Sequence, residues 1–484
     1  MSLKRKVAYN TLVQIVGKVV TTVISLFLVA ALTRYLGVTG YGQYTTVFSY
    51  VAFFAVFADF GFFWIFIREL AKPDADTSKI ASNILTLRTI LGIVVYGLAF
   101  VVGFFIPQYY EFRWGIGITA LASLFLALNF TYVGVFQNKL RMDKAALTDM
   151  IGRAVILVVT LYLIKSNLGL NAILWAYAFG NIVNFVISAW LGRIYVHFRP
   201  AFDFKYWKEI FWQALPMGII LVLNLIYFRV DTLILSLLKS STDVGIYGPP
   251  YKVLEIMLFL PTIFMGNIFP IITRFYFEKN PRLNELIQKA FDFLFMMALP
   301  IIVGVIFAAR PIIEAVAGVE FVNASTVQPF LGIPATSVLA LQILIIAVGV
   351  SFLSHLFGYL AVAFGKQSKL VVPNIIFVVF NIGLNLILIP RFSYIGASIV
   401  TVLTESLVLV ISWLIMSQYL KVNWNFRIFW KVVLASLFLG IFMYFAKGLN
   451  LLILLPTAVV VYVVSLLAVG GVNKRMVTDI ISGK

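Results

Sequence analysis

The sequence predicts an all-α integral membrane protein of about 14 transmembrane helices. They form two parallel six-helix bundles, related by a pseudo-twofold axis along the membrane normal, plus a C-terminal helix pair. Three observations predict the membrane spans, and the internal repeat described below predicts the bundles. Hydrophobic residues make up 62% of the 484 positions and charged residues 12%, whereas a soluble domain is about half apolar and a quarter charged. Mean hydropathy is +1.02. The apolar residues also fall in runs as long as the roughly 20 residues that cross a bilayer as a helix. A membrane β-barrel is excluded, because its strands alternate apolar and polar and 370–389 is apolar on every side.

The runs, in order, are 11–33, 44–66, 83–106, 114–137, 147–165, 170–194, 213–238, 250–274, 289–310, 337–363, 370–389, 394–419, 428–446 and 450–471. The first follows Lys4, Arg5 and Lys6 but is long and interrupted by Lys18, so it reads as a span and not as a cleaved signal peptide. Pro261 and Pro270 interrupt the eighth run and Pro300 the ninth, where they kink the helices. Trp64, Trp114, Trp190, Trp212 and Trp430 sit near run ends, as interfacial aromatics do. Residues 198–212 mix Phe, Tyr and Trp with Lys and Arg and read as an interfacial helix joining the bundles. The domains are therefore 1–197, a linker at 198–212, 213–421, and the last two helices with a cytoplasmic tail at 422–484.

Loop charge supports the even count. Alternate connections carry 25 Lys and Arg, among them Arg68, Lys139, Arg199, Lys279, Lys366, Lys421, Lys474, Arg475 and Lys484, while the other set carries only 7. This bias puts both termini in the cytoplasm of a plasma (inner) membrane protein. It also accounts for most of the +18 net charge, so nucleic-acid binding is not needed to explain it. Cysteine is absent and there are two histidines, which excludes disulfides and thiolate or histidine metal centres. No phosphate loop and no catalytic loop appears, so the chain is expected not to be an enzyme and not to use ATP. The Asn323-Ala324-Ser325 glycosylation pattern reads as chance.

An internal repeat appears at an offset of 203 residues, which places Gly42 and Tyr44 on Gly245 and Tyr247. Six helices separate the copies, so both halves share one orientation, with a binding space expected between them.

Four stretches then carry a family resemblance. They are TRYLGVTGYGQY at 33–44, ADFGF at 58–62 with Arg68-Glu69, FRVDTLILSLL with TDVGIYGPPYKVLE over 228–255, and NIGLNLILIPRFSYIGASIVTVLTE at 381–405. The chain resembles the polysaccharide transporters, the Wzx-type oligosaccharide flippases of the multidrug/oligosaccharidyl-lipid/polysaccharide (MOP) superfamily. The resemblance implies two lobes that flip a prenyl-diphosphate-linked glycan by alternating access. It implies membrane lipids and a lipid-linked glycan as partners, with glycosyltransferases or a glycan polymerase nearby, and a monomer. Three alternatives remain open: a cation-coupled multidrug exporter, a lipid II flippase, and a membrane-embedded glycan polymerase or ligase.

Charges inside the runs are the candidate site, since each costs about 2.5–3.5 kcal/mol on insertion scales. Lys18 and Asp59 lie about 10 Å inside the cytoplasmic face, and Arg88 and Arg153 slightly less. Asp149 precedes Arg153 by one helical turn. Functionally this layer is a vestibule for a diphosphate. Structurally, Asp149 pairs with Arg153, Asp59 with Arg88, and Lys18 snorkels. Arg229 and Asp231 lie toward the outer end of the seventh run. Lys252 and Glu255 share a face of the eighth. These are read either as a bundle-locking network or as an outer anion or ion-coupling site. Glu405, about 16 Å deep, is expected to be protonated or paired, with Thr401 and Thr404 available to satisfy it. Asn381 and Asn385 either join helices or, for Asn385, touch sugar. No cofactor is expected, and any coupling to H+ or Na+ would fall on the carboxylates.

Overall fold

The computed structural model describes residues 3–72, 75–420, 422 and 424–471. The expected tail with Lys474, Arg475 and Lys484, and Lys421 before it, lie outside the described residues. Among the described residues the regular structure is helical, with one isolated bridge between Phe330 and Ile333.

In chain order the helices are α1 Leu3–Asp59, α2 Phe62–Leu70, α3 Thr77–Phe105, α4 Arg113–Asn138, α5 Met142–Lys165, α6 Gly169–Gly192, α7 Phe204–Leu238, α8 Ser241–Met257, α9 Phe259–Phe277, α10 Leu283–Ala317, α11 Val319–Asn323, α12 Ser337–Ala363, α13 Val371–Ser417, α14 Arg427–Phe445 and α15 Leu451–Ala468. Eleven spans among the described residues are long and apolar enough to cross a membrane, or 12 with α7, whose two segments bend by 45°.

Two of these spans are too long for one crossing. Val16–Leu70 has 55 residues and Gln367–Ser417 has 51; a straight helix of that length would run about 75–85 Å, far beyond a hydrocarbon core of about 30 Å. Both contain a break. In α1, Gly37 is non-helical at φ 63° and ψ −173°, and the chain reverses after it. Gly17 packs on Ala146 near the start of α5. Tyr35 accepts a hydrogen bond from the Gly169 N–H at the start of α6, 2.9 Å away. Gln43 bonds Glu111 just before α4 at 2.9 Å. By Asp59 the chain is back at the level of Arg88, three turns into α3. In α13 the break is Ser393, at φ 50°. Asn381 and Thr404 bond across the hairpin at 3.1 Å. With these two reversals the spans amount to the fourteen crossings the apolar runs predict.

The chain packs as two compact units, 1–245 and 246–484. The first is built on the returning half of α1 against α3, α4 and α6, through Val47, Tyr50, Tyr96, Ile116 and Leu174. Gly152 and Gly180 let α5 and α6 approach closely, since a Cβ on either would meet the other's carbonyl oxygen at 3.1 or 2.8 Å. Tyr109 and Ser236 share a buried 2.8 Å hydroxyl contact that holds the far end of α7 to this unit. The second unit is built on α12, with Leu341, Leu344, Val348 and Phe352 buried against its neighbours. The expected C-terminal pair is α14 and α15. It packs on α10 through Ala308, Leu439, Met443 and Leu454, and the Tyr462 hydroxyl donates to the Met296 carbonyl at 2.8 Å.

The connection at 198–212 differs from the interfacial helix expected. Residues 196–203 are extended, and the helix begins only at Phe204, capped by Asp203, whose side chain accepts from the Tyr206 N–H at 3.0 Å. The reason is a polar stripe on α3. The backbone N–H groups of His197, Arg199 and Ala201 donate to the hydroxyls of Ser78, Ser82 and Thr86 at 3.4, 3.1 and 3.1 Å, and that of Asp203 donates to Asn83 at 3.1 Å. Four residues of helix advance about 6 Å and two of strand about 6.6 Å. Hydroxyls one turn apart therefore meet alternate amides of an extended strand. Pro200 has no N–H to offer a helix and stands between two of these rungs.

Candidate functional site among the membrane-embedded charges

In the first unit the structure separates what the sequence placed in one layer. Arg153 pairs with Asp149 one turn away on α5 at 3.1 Å, and both side chains are about 40% exposed. The Arg153 guanidinium also donates to the Ser25 hydroxyl of α1 at 3.2 Å. Lys18, two turns before Ser25 on the same helix, is exposed, and its carbonyl accepts from the Thr21 and Thr22 hydroxyls. Lys18, Thr22 and Ser25 thus form a polar strip on α1, and Arg153 with Asp149 meets it from α5.

Arg88 is elsewhere. It is 2% exposed, is ion-paired with Asp59, and donates to the Thr131 hydroxyl at 3.2 Å and the Ala127 carbonyl at 3.4 Å. Its Nε–H is buried without a partner. Arg88 and Asp59 are a locked pair inside the unit, whereas Lys18 and Arg153 are the accessible cations. Asp231 is buried and accepts from the Thr232 N–H at 2.9 Å; Arg229 nearby is half-buried.

In the second unit Lys252 and Glu255 pair with each other at 2.9 Å, one turn apart and partly exposed. Glu405 is buried. The hydroxyl protons of Thr401 and Thr404 go to the Ala397 and Val400 carbonyls. Beside it runs a buried ladder in which Asn385 donates to Asn381 at 3.0 Å and Asn381 to Thr404 at 3.1 Å. Asn385 is fully enclosed, which makes it part of the helix-joining ladder.

Two features escaped the sequence reading. Asp292 is buried on α10, bonded by Gln288, which also clasps the Asn425 backbone. It sits in the sequence AFDFLF, a carboxylate between aromatics, and that signal could have found it. The first unit also carries an open groove of about 610 Å³ lined by Tyr96, Gly97, Phe100, Trp114, Leu121 and Trp175. Its walls are apolar, so it suits a hydrocarbon chain and not a sugar. No cluster of potential metal ligands occurs among the described residues.

Comparison with known proteins adds the following. Residues 5–276 match the model of a family described as polysaccharide biosynthesis protein. Two curated relatives come from Haloferax volcanii. A probable low-salt glycan biosynthesis flippase, Agl15, is 23% identical over 66% of this chain and 66% of its own length. A probable flippase, AglR, is 22% identical over 65% and 64%. The matched region thus spans about two thirds of these relatives. Among solved structures, a lipid II flippase MurJ in an inward closed conformation superposes with a TM-score of 0.73 at 15% identity, covering 95% of this chain and 98% of that one. An inward-facing multidrug resistance MATE transporter of the MOP superfamily gives 0.64 at 14%, covering 82% and 94%. Likeness at such identities establishes the fold, which is that of the MOP transporters.

Proposed function

The chain belongs to the polysaccharide biosynthesis protein family, whose model covers 5–276 of its 484 residues, and on that premise we propose that it flips a lipid-linked oligosaccharide from the cytoplasmic to the outer leaflet by alternating access. The observation that carries this reading is the pair of accessible cations, Lys18 and Arg153, inside membrane spans of the first unit. Ionisable side chains inside spans mark substrate or ion pathways. Lys18 and the Arg153–Asp149 pair are exposed along one polar strip, where a prenyl diphosphate can reach them. Arg presents a planar fork to phosphate oxygens and Lys a point charge, while the prenyl tail stays in lipid.

A drug exporter of the same fold would select cationic amphiphiles and so favour accessible carboxylates; this strip is led by cations. Coupling to H+ or Na+ would fall on Asp59, Asp149, Asp231, Glu255 or Glu405. Plasma-membrane location, cytoplasmic termini, a monomeric state and a place beside glycosyltransferases or a polymerase belong to the same proposal. The test is reconstitution of the full chain in liposomes with a fluorescent prenyl-diphosphate oligosaccharide, scored by accessibility of the glycan to an impermeant reagent. The parent should flip it, and a Lys18→Gln/Arg153→Gln double variant should insert normally and flip little. Equal rates for the two would remove the anion site, and a changed covalent linkage in the product would point to a polymerase.

A further inference from the structure

The open groove of about 610 Å³ lies between α3, α4 and α6, wholly within the first unit. Two glycines make room for it. A Cβ on Gly97 would meet nothing within 4 Å, so the space beside Gly97 is the groove itself. A Cβ on Gly117 would press on the Phe100 ring at 2.9 Å, and its absence lets that ring lie back as a wall. Trp114 and Trp175 also line the groove and are 60% and 51% exposed, on helices long and apolar enough to cross a membrane. An apolar trough in such a surface opens to hydrocarbon and not to water.

Length, polarity and charge say which hydrocarbon it takes. Trp114 stands at the start of α4 and Leu124, also in the lining, is ten residues further in, about 15 Å by helical rise. That is half of a hydrocarbon core of about 30 Å, the reach of one chain in one leaflet. The lining amide, Asn171, is the third residue of α6 and lies beside Gly115, so the polar end of the groove is the end at Trp114. A cation stands at that same end. The Arg113 guanidinium is 4.3 Å from the ring centres of both Phe104 and Tyr110, and the Phe104 ring stands 6.1 Å from that of Trp114. Aromatic rings hold a guanidinium by its face and leave its N–H edge for an acceptor. Glu111, two residues away, is engaged by Gln43 at 2.9 Å, and among the described residues no carboxylate forms an ion pair with Arg113. A chain-length trough that ends at a fixed, unneutralised guanidinium complements a phospholipid, whose phosphate oxygens suit the planar fork of Arg.

We propose that the α3–α4–α6 groove binds one phospholipid of the leaflet at the α5–α6 turn, the outer leaflet on the loop-charge orientation, with a hydrocarbon chain beside Gly97 and the phosphate on Arg113. The inference goes beyond the flippase reading and does not depend on it, since it concerns a lipid the protein keeps and not one it moves. The test titrates the full chain in mild detergent with phosphatidylglycerol brominated on one chain, whose bromines quench tryptophan on contact. Quenching of the parent should saturate, and at a several-fold lower lipid fraction than with brominated phosphatidylcholine, whose head group is zwitterionic. A Trp114→Phe/Trp175→Phe variant should lose the saturable part, which places it in the groove. Gly97→Phe should abolish saturation, because the ring fills the open space, and should elute and melt as the parent does. Arg113→Gln, which leaves the trough intact, should erase the preference for phosphatidylglycerol. Quenching that only rises in proportion to lipid, saturation that survives Gly97→Phe, or a head-group preference that survives Arg113→Gln overturns the site; the last holds even if a ring at 97 is not tolerated. Stronger displacement of the brominated lipid by polyprenyl phosphate than by unlabelled phosphatidylglycerol would make the occupant a carrier tail and overturn the phospholipid assignment.

Discussion

Arg88 and Asp59 are the clearest case of what a single residue does here. Removing Asp59 leaves the buried Arg88 guanidinium uncompensated, which typically costs about 3–5 kcal/mol, and removing Arg88 leaves the partly exposed Asp59 carboxylate uncompensated at a smaller cost. Arg88→Met and Asp59→Asn should each lower thermal stability in detergent, and the double variant should recover part of the loss. A non-additive cycle of that kind would mark the pair as structural, and additivity would argue against direct pairing. Lys18→Gln, on an exposed position, should leave stability nearly unchanged. The pairings themselves were readable from the sequence. Asp149 with Arg153 follows from one turn of helix, and Asp59 with Arg88 from matched depth. What spacing does not encode is which way a pair faces, and so the sequence put Arg88 in the same vestibule as Lys18. At Glu405 the neighbouring threonines behave as helical Thr does, each returning its one proton to the preceding turn. Asp292 was passed over because the apolar run there begins at 289, whereas α10 begins at Leu283 and carries the carboxylate well inside.

At the scale of elements, apolar length gave the crossings and the structure supplied the joints. The breaks at Gly37 and Ser393 fall in the gaps that the apolar runs leave at 34–43 and 390–393. The linker is the element whose form the sequence did not show. Its aromatic and basic composition suits an interface, but its conformation is set by hydroxyls on α3, more than a hundred residues earlier. A Ser82→Ala/Thr86→Ala variant should lose two of these bonds, each worth about 0.5–1.5 kcal/mol net. The expected outcome is faster proteolysis within 197–203 with the spans still inserted. Unchanged cleavage would mean that the strand is held by its packed aromatics instead.

For the whole molecule the measurable claim is topology. A single cysteine placed at Asn167, between α5 and α6, should react with an impermeant thiol reagent from outside intact cells, and one at Leu140, between α4 and α5, should not. The reverse pattern would invert the orientation derived from loop charge and exchange the two faces of the proposed cycle. Substrate class is settled at the same scale: expression in a drug-sensitised host should confer no resistance, while loss of the protein from its own host should trap glycan on the inner leaflet. A resistance phenotype would favour the exporter.

Gly42 lies against the Ser241 carbonyl and Gly245 against the Val38 carbonyl, so that a Cβ on either glycine would clash with the facing oxygen. Where two backbones meet this closely, neither turn can drift alone. Bulk gained at 42 has to be matched by room yielded near 241, and bulk gained at 245 by room yielded near 38. Relatives of the chain should change these sites in concert or leave them bare.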